Sequence, residues 1–279
     1  MAFTFPSLFD FGLEPAAQVL ARGFSDYFVP IPATPAMLLG MVRGDSVDLT
    51  VSRVAVRDGQ PVGAALIARR GWTSRLAGMA IVPEARRTGV GRALMDQLLA
   101  EARARGERAM VLEVIEQNAP AVQLYEACSF KKIRRLTGHA GRPETPQTDA
   151  AATAALEEID PRALASLVAE HGLPDLPWQI SAETIAQATS PALAFRLGPS
   201  ALLLSSPAAE TVALRAIVTE RAHRGRGHSL ALLRAVMTKF PGKEWRASAI
   251  FPEEMGETFT AAGLTRTPLS QWQMTRPLA

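Results

Sequence analysis

Apolar residues along this chain switch between a period of two and a helical period, and the switches mark out its elements. Leu49–Arg57 alternates apolar and polar residues, as a half-buried strand does. Asp58-Gly59 is a hairpin turn signal. Val62–Arg69 reads as the return strand and Arg75–Val82 as a third. Over Gly89–Arg105 the period becomes helical, with Val90, Leu94, Leu98 and Ala102 on one face. Arg108–Ile115 is again strand-like. A helix follows from about Asn118 to Ala127, with Pro120 in its first turn, and Phe130–Leu136 reads as a strand. Upstream, 14–22 and 34–41 read as short helices around an aromatic stretch, Gly23–Pro32.

Thr137–Thr148 has no periodicity and reads as a linker. The order of elements then recurs. Strand 153–159, helices 161–171 and 181–188, and strands 192–197, 200–205 and 211–218 lead to helix 226–240. Strand 244–250, helix 253–262 and a last strand near 264–276 complete the chain. The expected organisation is a domain at 1–137, a linker at 138–148 and a second domain at 149–279. Each is α/β, with helices around a mixed sheet. The last strand, Gln271–Arg276, is a candidate to complete the first domain, which is one strand short after Leu136.

Composition narrows the classes. A chain of 279 residues with 48% apolar and 20% charged residues has enough material for two cores. No stretch reads as a membrane span, and the start, Met1–Pro6, has no signal-like region. The single cysteine, Cys128, excludes an intrachain disulfide framework and is expected to pack as a small apolar residue. A cytoplasmic protein without membrane partners is the expectation. Four scattered histidines give no metal-ligand spacing, so no metal is expected. The net charge of +3 is too slight to call for nucleic acid but suits an anionic ligand.

The candidate chemistry sits in Ala80–Leu94. A strand stops at Pro83, a basic turn with Gly89 and Gly91 follows, and a helix starts. Two missing side chains let a ligand approach the backbone, and the N–H groups of the turn and first helical residues make a phosphate cradle. Ala216–Leu230 repeats the segment without a gap 136 residues later, placing Gly225 and Gly227 on the two glycines and Ala222 on Arg86.

These residues resemble the GCN5-related N-acetyltransferase (GNAT) superfamily. Arg86-Arg87-Thr88-Gly89-Val90-Gly91 fits its coenzyme loop, Arg/Gln-x-x-Gly-x-Gly/Ala. Asn118-Ala119 through Leu124-Tyr125-Glu126 to Ser129-Phe130 fits its downstream signature, with Ser129 in place of the usual glycine. Leu112-Glu113-Val114 is similar to a segment of the ribosomal-protein N-terminal acetyltransferases. The second half resembles the same superfamily in a degenerate form: Phe259 falls on Tyr125, and nothing matches Asn118.

The resemblance implies two tandem GNAT-like domains, each a mixed, mostly antiparallel sheet flanked by helices. It implies an acetyl-CoA-dependent N-acetyltransferase with direct transfer in a ternary complex. The acceptor would be a small-molecule amine or a peptide N-terminus. The coenzyme would be held by Arg87, Thr88, Gly89, Val90, Gly91 and Arg92, by Ile81 and Val82 on the strand, and by Asn118. Tyr125 is the implied acid for the leaving thiolate, and Glu113 the implied base, with Glu116 as its runner-up. Phe24, Tyr27 and Phe28 either line an acceptor pocket or pack the helices. The basic loop at Arg221–His228 is either a retained phosphate site or a solvated turn. The rival function is a coenzyme A-binding regulatory protein without turnover.

Overall fold

The structure is a computed structural model that describes residues 3–143 and 150–278. It divides into two compact units. Unit 1 comprises Met1–Val114, Asn118–Ile133 and Gln273–Ala279; unit 2 comprises Ile115–Gln117 and Arg134–Trp272.

Unit 1 begins with β1 (Phe3–Thr4), α1 (Leu8–Phe11), α2 (Leu13–Gly23) and α3 (Pro35–Asp45). β2 (Arg53–Arg57), β3 (Gln60–Arg70) and β4 (Thr73–Ile81) form an antiparallel meander. A 3-10 turn at Pro83–Ala85 leads into α4 (Val90–Ala104), then β5 (Ala109–Ile115) and α5 (Ala119–Ala127). β5 pairs parallel with β4, the geometry a helical crossover requires. The α4 face read from the sequence is the buried one: Val90, Leu94, Leu98 and Ala102 lie inside, with Met95 and Leu99 beside them. The sheet of unit 1 buries Ala64, Leu66, Ile67 and Met110.

β6 (Lys131–Gly141), α6 (Ala150–Ala154), β7 (Glu157–Ile159), α7 (Pro161–His171), α8 (Ala182–Ala186), β8 (Leu193–Leu197) and β9 (Ser200–Leu204) come next. β10 (Thr211–Thr219), α9 (His228–Lys239), β11 (Glu244–Pro252), α10 (Gly256–Ala261) and β12 (Thr265–Pro277) complete the described chain. In unit 2 the strand order runs β6-β11-β10-β9-β8-β7. β10 and β11 pair parallel, and the other described pairs are antiparallel. Phe195, Phe251, Phe259, Leu232, Leu233 and Val236 fill its core.

Three sequence expectations change. The expected strand 153–159 opens as the helix α6, because the alanine-rich run Ala150–Ala155 favours helix, and only Glu157–Ile159 is strand. The expected linker is strand as far as Gly141, which pairs with Trp245; its positions 144–148 lie outside the described residues. The final strand divides: Gln273 onward belongs to unit 1, where β12 follows β5 in the strand order and Leu278 N–H donates to Arg108 O at 2.9 Å. Among the described residues no helix is long and apolar enough to cross a membrane.

Candidate active site

The parallel pairing of β4 with β5 ends at Leu76↔Leu112. At the same level β4 carries a bulge against β3, where the register jumps between Leu66↔Gly78 and Ile67↔Leu76. A bulge re-aims the strand and terminates pairing. It lets the last residues of β4 diverge from β5. Ile81 lies on this divergent stretch. Val82 does not offer its N–H as expected, because that group donates to Val62 O at 3.0 Å.

The loop after β4 is built from left-handed residues. Arg87 has φ 59° and Gly89 φ 88°. Gly89 caps α4 with no side-chain hydrogen bond, so the free N–H groups of the first turn face outward uncapped. Space beside Gly89 is open, whereas a Cβ on Gly91 would meet Leu124 at 3.2 Å. The two glycines therefore do different work: one shapes the cradle, the other lets α4 approach α5. Thr88 Oγ1 donates to Ala85 O at 2.7 Å and accepts from Arg57 Nη1 at 3.2 Å. Arg57 is thus a second cation at the loop, one that lies 31 positions away in sequence and carries no local signal. Arg92 Nε is held by Asp96 at 2.9 Å and its Nη1 by Ala127 O at 3.3 Å.

Arg86, first residue of the loop motif, is a bracket. Its guanidinium donates to both Asp26 carboxylate oxygens at 2.6 Å, to Gly23 O at 3.1 Å and to Ile81 O at 3.2 Å. The arginine lowers the Asp26 carboxyl below its ordinary value by hydrogen bonding. The fork ties the end of α2 to the end of β4, a geometry suited to a planar guanidinium.

Tyr125 lies on α5 and is buried, its ring 6.0 Å from Phe130. Burial pushes its phenol well above the usual tyrosine range, and the neighbouring Tyr27 and Cys128 push the same way. Asn118 caps α5, its side chain accepting from Ala121 N–H, and it also hydrogen bonds Tyr27. The aromatic stretch therefore reaches the site through Tyr27, whose ring packs on Phe24 at 5.1 Å and Phe28 at 5.6 Å. Phe28 is exposed. Both tyrosines of the chain meet here, which the sequence does not reveal because Tyr27 lies in an irregular segment.

Glu113 is not placed as a base. Its Oε2 accepts from Arg75 Nε at 2.7 Å, and the two side chains are 1% and 7% exposed. A base must reach the proton it takes, and this carboxylate is enclosed and occupied. Glu116, in unit 2, is likewise engaged, by Arg135 at 2.7 Å and Ser270 Oγ at 2.6 Å.

Unit 2 repeats the loop geometry with a different register. The 3-10 turn Arg221–His223, Arg224 at ψ 156°, Gly225 at φ 73° and the cap Gly227 at φ 79° match Pro83–Ala85, Arg86 at ψ 152°, Arg87 at φ 59° and Gly89 at φ 88°. The bulge recurs too, between Leu214 and Ala216. The counterpart of Arg86 is therefore Arg224, not Ala222. Arg224 Nε donates to Thr219 O at 3.4 Å, as Arg86 Nε does to Ile81 O, and its Nη2 reaches His171 O at the end of α7. Phe259 on α10 is fully buried, and Gly263 turns at φ 90° where Ser129 turns at φ 63°.

Known proteins agree with this architecture. Residues 26–130 match the model of the acetyltransferase (GNAT) family. A [ribosomal protein bS18]-alanine N-acetyltransferase of Escherichia coli is 42% identical over 62 residues, which cover 22% of this chain and 42% of that relative. A GCN5-related N-acetyltransferase from Sphaerobacter thermophilus superposes with a TM-score of 0.72 at 17% identity, over 99% of this chain and 96% of that one. A tandem GNAT protein from the clavulanic acid biosynthesis pathway superposes with a TM-score of 0.63 at 18% identity, over 100% and 99%. These two structures share the fold of this chain over both halves. Residues 26–130 are thus similar to the acetyltransferase (GNAT) family.

Proposed function

We propose that unit 1 is an acetyl-CoA-dependent N-acetyltransferase that moves the acetyl group directly to a primary amine. The observation that carries this reading is the juxtaposition, within one unit, of the Gly89-capped loop, the divergence of β4 from β5, and Tyr125 on α5. Acetyl-CoA supplies an activated thioester. The N–H groups of the loop from Arg87 to Arg92, with the cation of Arg57, suit a pyrophosphate. Ile81 and its neighbours on β4 offer backbone donors beside the thioester arm. Asn118, held by Tyr27, borders the same space. Tyr125 holds the proton that a departing thiolate needs.

Glu113 has a positioning part: with Arg75 it ties β5 to β4 at the level where the strands separate. The amine's proton passes to water, since Glu113 and Glu116 are both held by arginines. The acceptor is a small amine or a peptide N-terminus; the local likeness to an alanine N-acetyltransferase places peptide N-termini first in a screen. Free-thiol release from acetyl-CoA across a panel of peptides and small amines tests the proposal. Thermal stabilisation by acetyl-CoA with no thiol release from any amine would favour a coenzyme-binding regulator instead.

A further inference from the structure

We propose that unit 1 carries a separate binding site, on the flank of α4, for an aliphatic primary ammonium, either a free amine or a lysine side chain. The site is a groove of about 320 Å³ between the segment leading into α1, the start of β2 and the end of α4. Backbone contacts hold its walls in place. Ser7 bridges to Arg53, Leu8 N–H donates to Ser52 O at 2.9 Å, and Phe9 N–H donates to Leu49 O at 3.1 Å. Leu8 is fully buried, whereas Phe9 is 67% exposed and lines the groove together with Phe5. An exposed aromatic on a fixed backbone is available to a ligand without a reordering cost.

The groove has spent most of its side-chain donors and kept its acceptors. Ser7 Oγ donates to Asp10 Oδ2 at 2.5 Å, and Thr50 Oγ1 to Asp48 Oδ1 at 2.6 Å. Arg53 gives Nε to Glu101 Oε1 at 2.9 Å and Nη1 to the carbonyl oxygens of Thr50 and Ser52. Gln97 Nε2 donates to the same Glu101 oxygen at 2.7 Å. The other oxygen, Glu101 Oε2, is buried without a hydrogen bond, and Arg105 Nη1 is 3.7 Å from it. Asp10 has no cationic partner among the described residues. Two carboxylates of the lining therefore face one guanidinium. A buried acceptor without a donor asks for one. An ammonium brings three donors and one positive charge, and the faces of exposed aromatic rings attract a cation. A water's share of liquid volume is about 30 Å³, so a short aliphatic stem fits beside the ammonium. An anion would meet the surplus carboxylate, and a neutral apolar molecule would leave Oε2 without a donor.

No residue of this groove belongs to the proposed coenzyme or catalytic set. Along α4, Glu101 lies about 18 Å from Gly89, at about 1.5 Å per residue. An amine held here is kept rather than acetylated.

Isothermal titration of the full chain, without coenzyme, against 1,4-diaminobutane and Nα-acetyl-lysinamide tests this. At least one probe is expected to bind, more weakly at high salt. Asp10→Asn should weaken one bound equivalent about tenfold, the scale of a lost charge-assisted contact. Phe9→Ala should weaken the same equivalent about two- to fivefold, the range for an exposed cation–π contact. Both side chains are exposed, and thiol release from acetyl-CoA should be unchanged in both variants. Binding of the diamine alone would support the site with a free amine as its ligand. Binding of the lysine derivative alone would support it with a protein side chain. Binding of neither probe, or equal affinity in the parent and both variants, would overturn the proposal, as would 1-butanol binding as tightly as the diamine. Thiol release from no amine would refute the proposed transferase activity and leave this site standing, because the titration involves no coenzyme.

Discussion

Burial keeps the Tyr125 phenol protonated, and this sets a prediction about pH. Its value is raised by desolvation above the ordinary ≈10, so the donor form persists through neutral and mildly alkaline solution. Turnover is expected to show no descending limb from loss of this proton between about pH 7 and 10. Tyr125→Phe should lower kcat by about 10²–10⁴ with KM for acetyl-CoA nearly unchanged, read from steady-state rates. An equal rate in the variant would move the proton donor to water. In unit 2, His139 is 2% exposed, Nδ1 has no hydrogen-bond partner, and burial and then Arg266 lower its value. A lowered value means the folded state favours the neutral ring. Its contribution is present above the unfolded value near 6.5 and is lost as pH falls through the folded one. Urea titrations of the parent should therefore lose stability more steeply than those of His139→Gln as pH falls from about 6.5. Tyr125 was legible because the signature residues around it lie within one short segment. Tyr27, Arg57 and the Arg75–Glu113 pair were not, because each acts across 30 or more positions. Glu113 shows the hazard directly: Leu112-Glu113-Val114 gives the strand, but only the partner on β4 tells a base from half of an ion pair.

At the scale of elements, the bracket at Arg86 joins three segments through one guanidinium. Arg86→Lys keeps the charge but loses the fork to Asp26 and the carbonyls of Gly23 and Ile81. Stopped-time thiol assays should show KM rising for both substrates, since the bracket orders the coenzyme loop and the Tyr27 segment together. A rise for acetyl-CoA alone would limit Arg86 to the loop. The Arg75–Glu113 pair ties β4 to β5 in the same way. Arg75→Met takes the arginine away from a buried carboxylate and should cost about 3–5 kcal/mol of stability by denaturant unfolding. Helices and hairpins were readable from periodicity because α4 buries one face and β2–β3 turn on Asp58-Gly59. The bulges were not, since a register jump leaves no mark in a strand that is apolar on both faces. The loop repeat misleads for a related reason. Two Gly-x-Gly pairs superpose best at 136 residues, yet the backbone aligns at 138, with Gly225 in the conformation of Arg87 and Gly227 in that of Gly89. Glycine spacing cannot distinguish the two registers; backbone angles do.

At the scale of the whole molecule, the last residues of the chain belong to the first unit. Gln273–Ala279 is counted in unit 1, where β12 neighbours β5, Met274 is fully buried, and Leu278 is 5% exposed. Arg276 donates to Cys128 O just after α5, and Arg103 Nε to Leu278 O at 3.2 Å. Without this segment β5 loses a neighbour, and α4 and α5 lose anchors, although no proposed site residue is touched. The expected consequence is a unit 1 that weakens without losing its chemistry. Met274→Ala should cost about 2–5 kcal/mol, the range for emptying a fully buried site. Deletion of Gln273–Ala279 should cost more, lowering the melting temperature and the yield of active protein together. High acetyl-CoA should recover part of the loss, because a ligand that binds only the folded state stabilises it by mass action. Differential scanning fluorimetry with and without acetyl-CoA, beside thiol-release assays on the same samples, reads both quantities. A deletion variant that melts and turns over like the parent would show that residues 1–133 build a sufficient core alone. Loss of stability with recovery by coenzyme would show that unit 1 depends on a strand segment supplied from the other end of the chain.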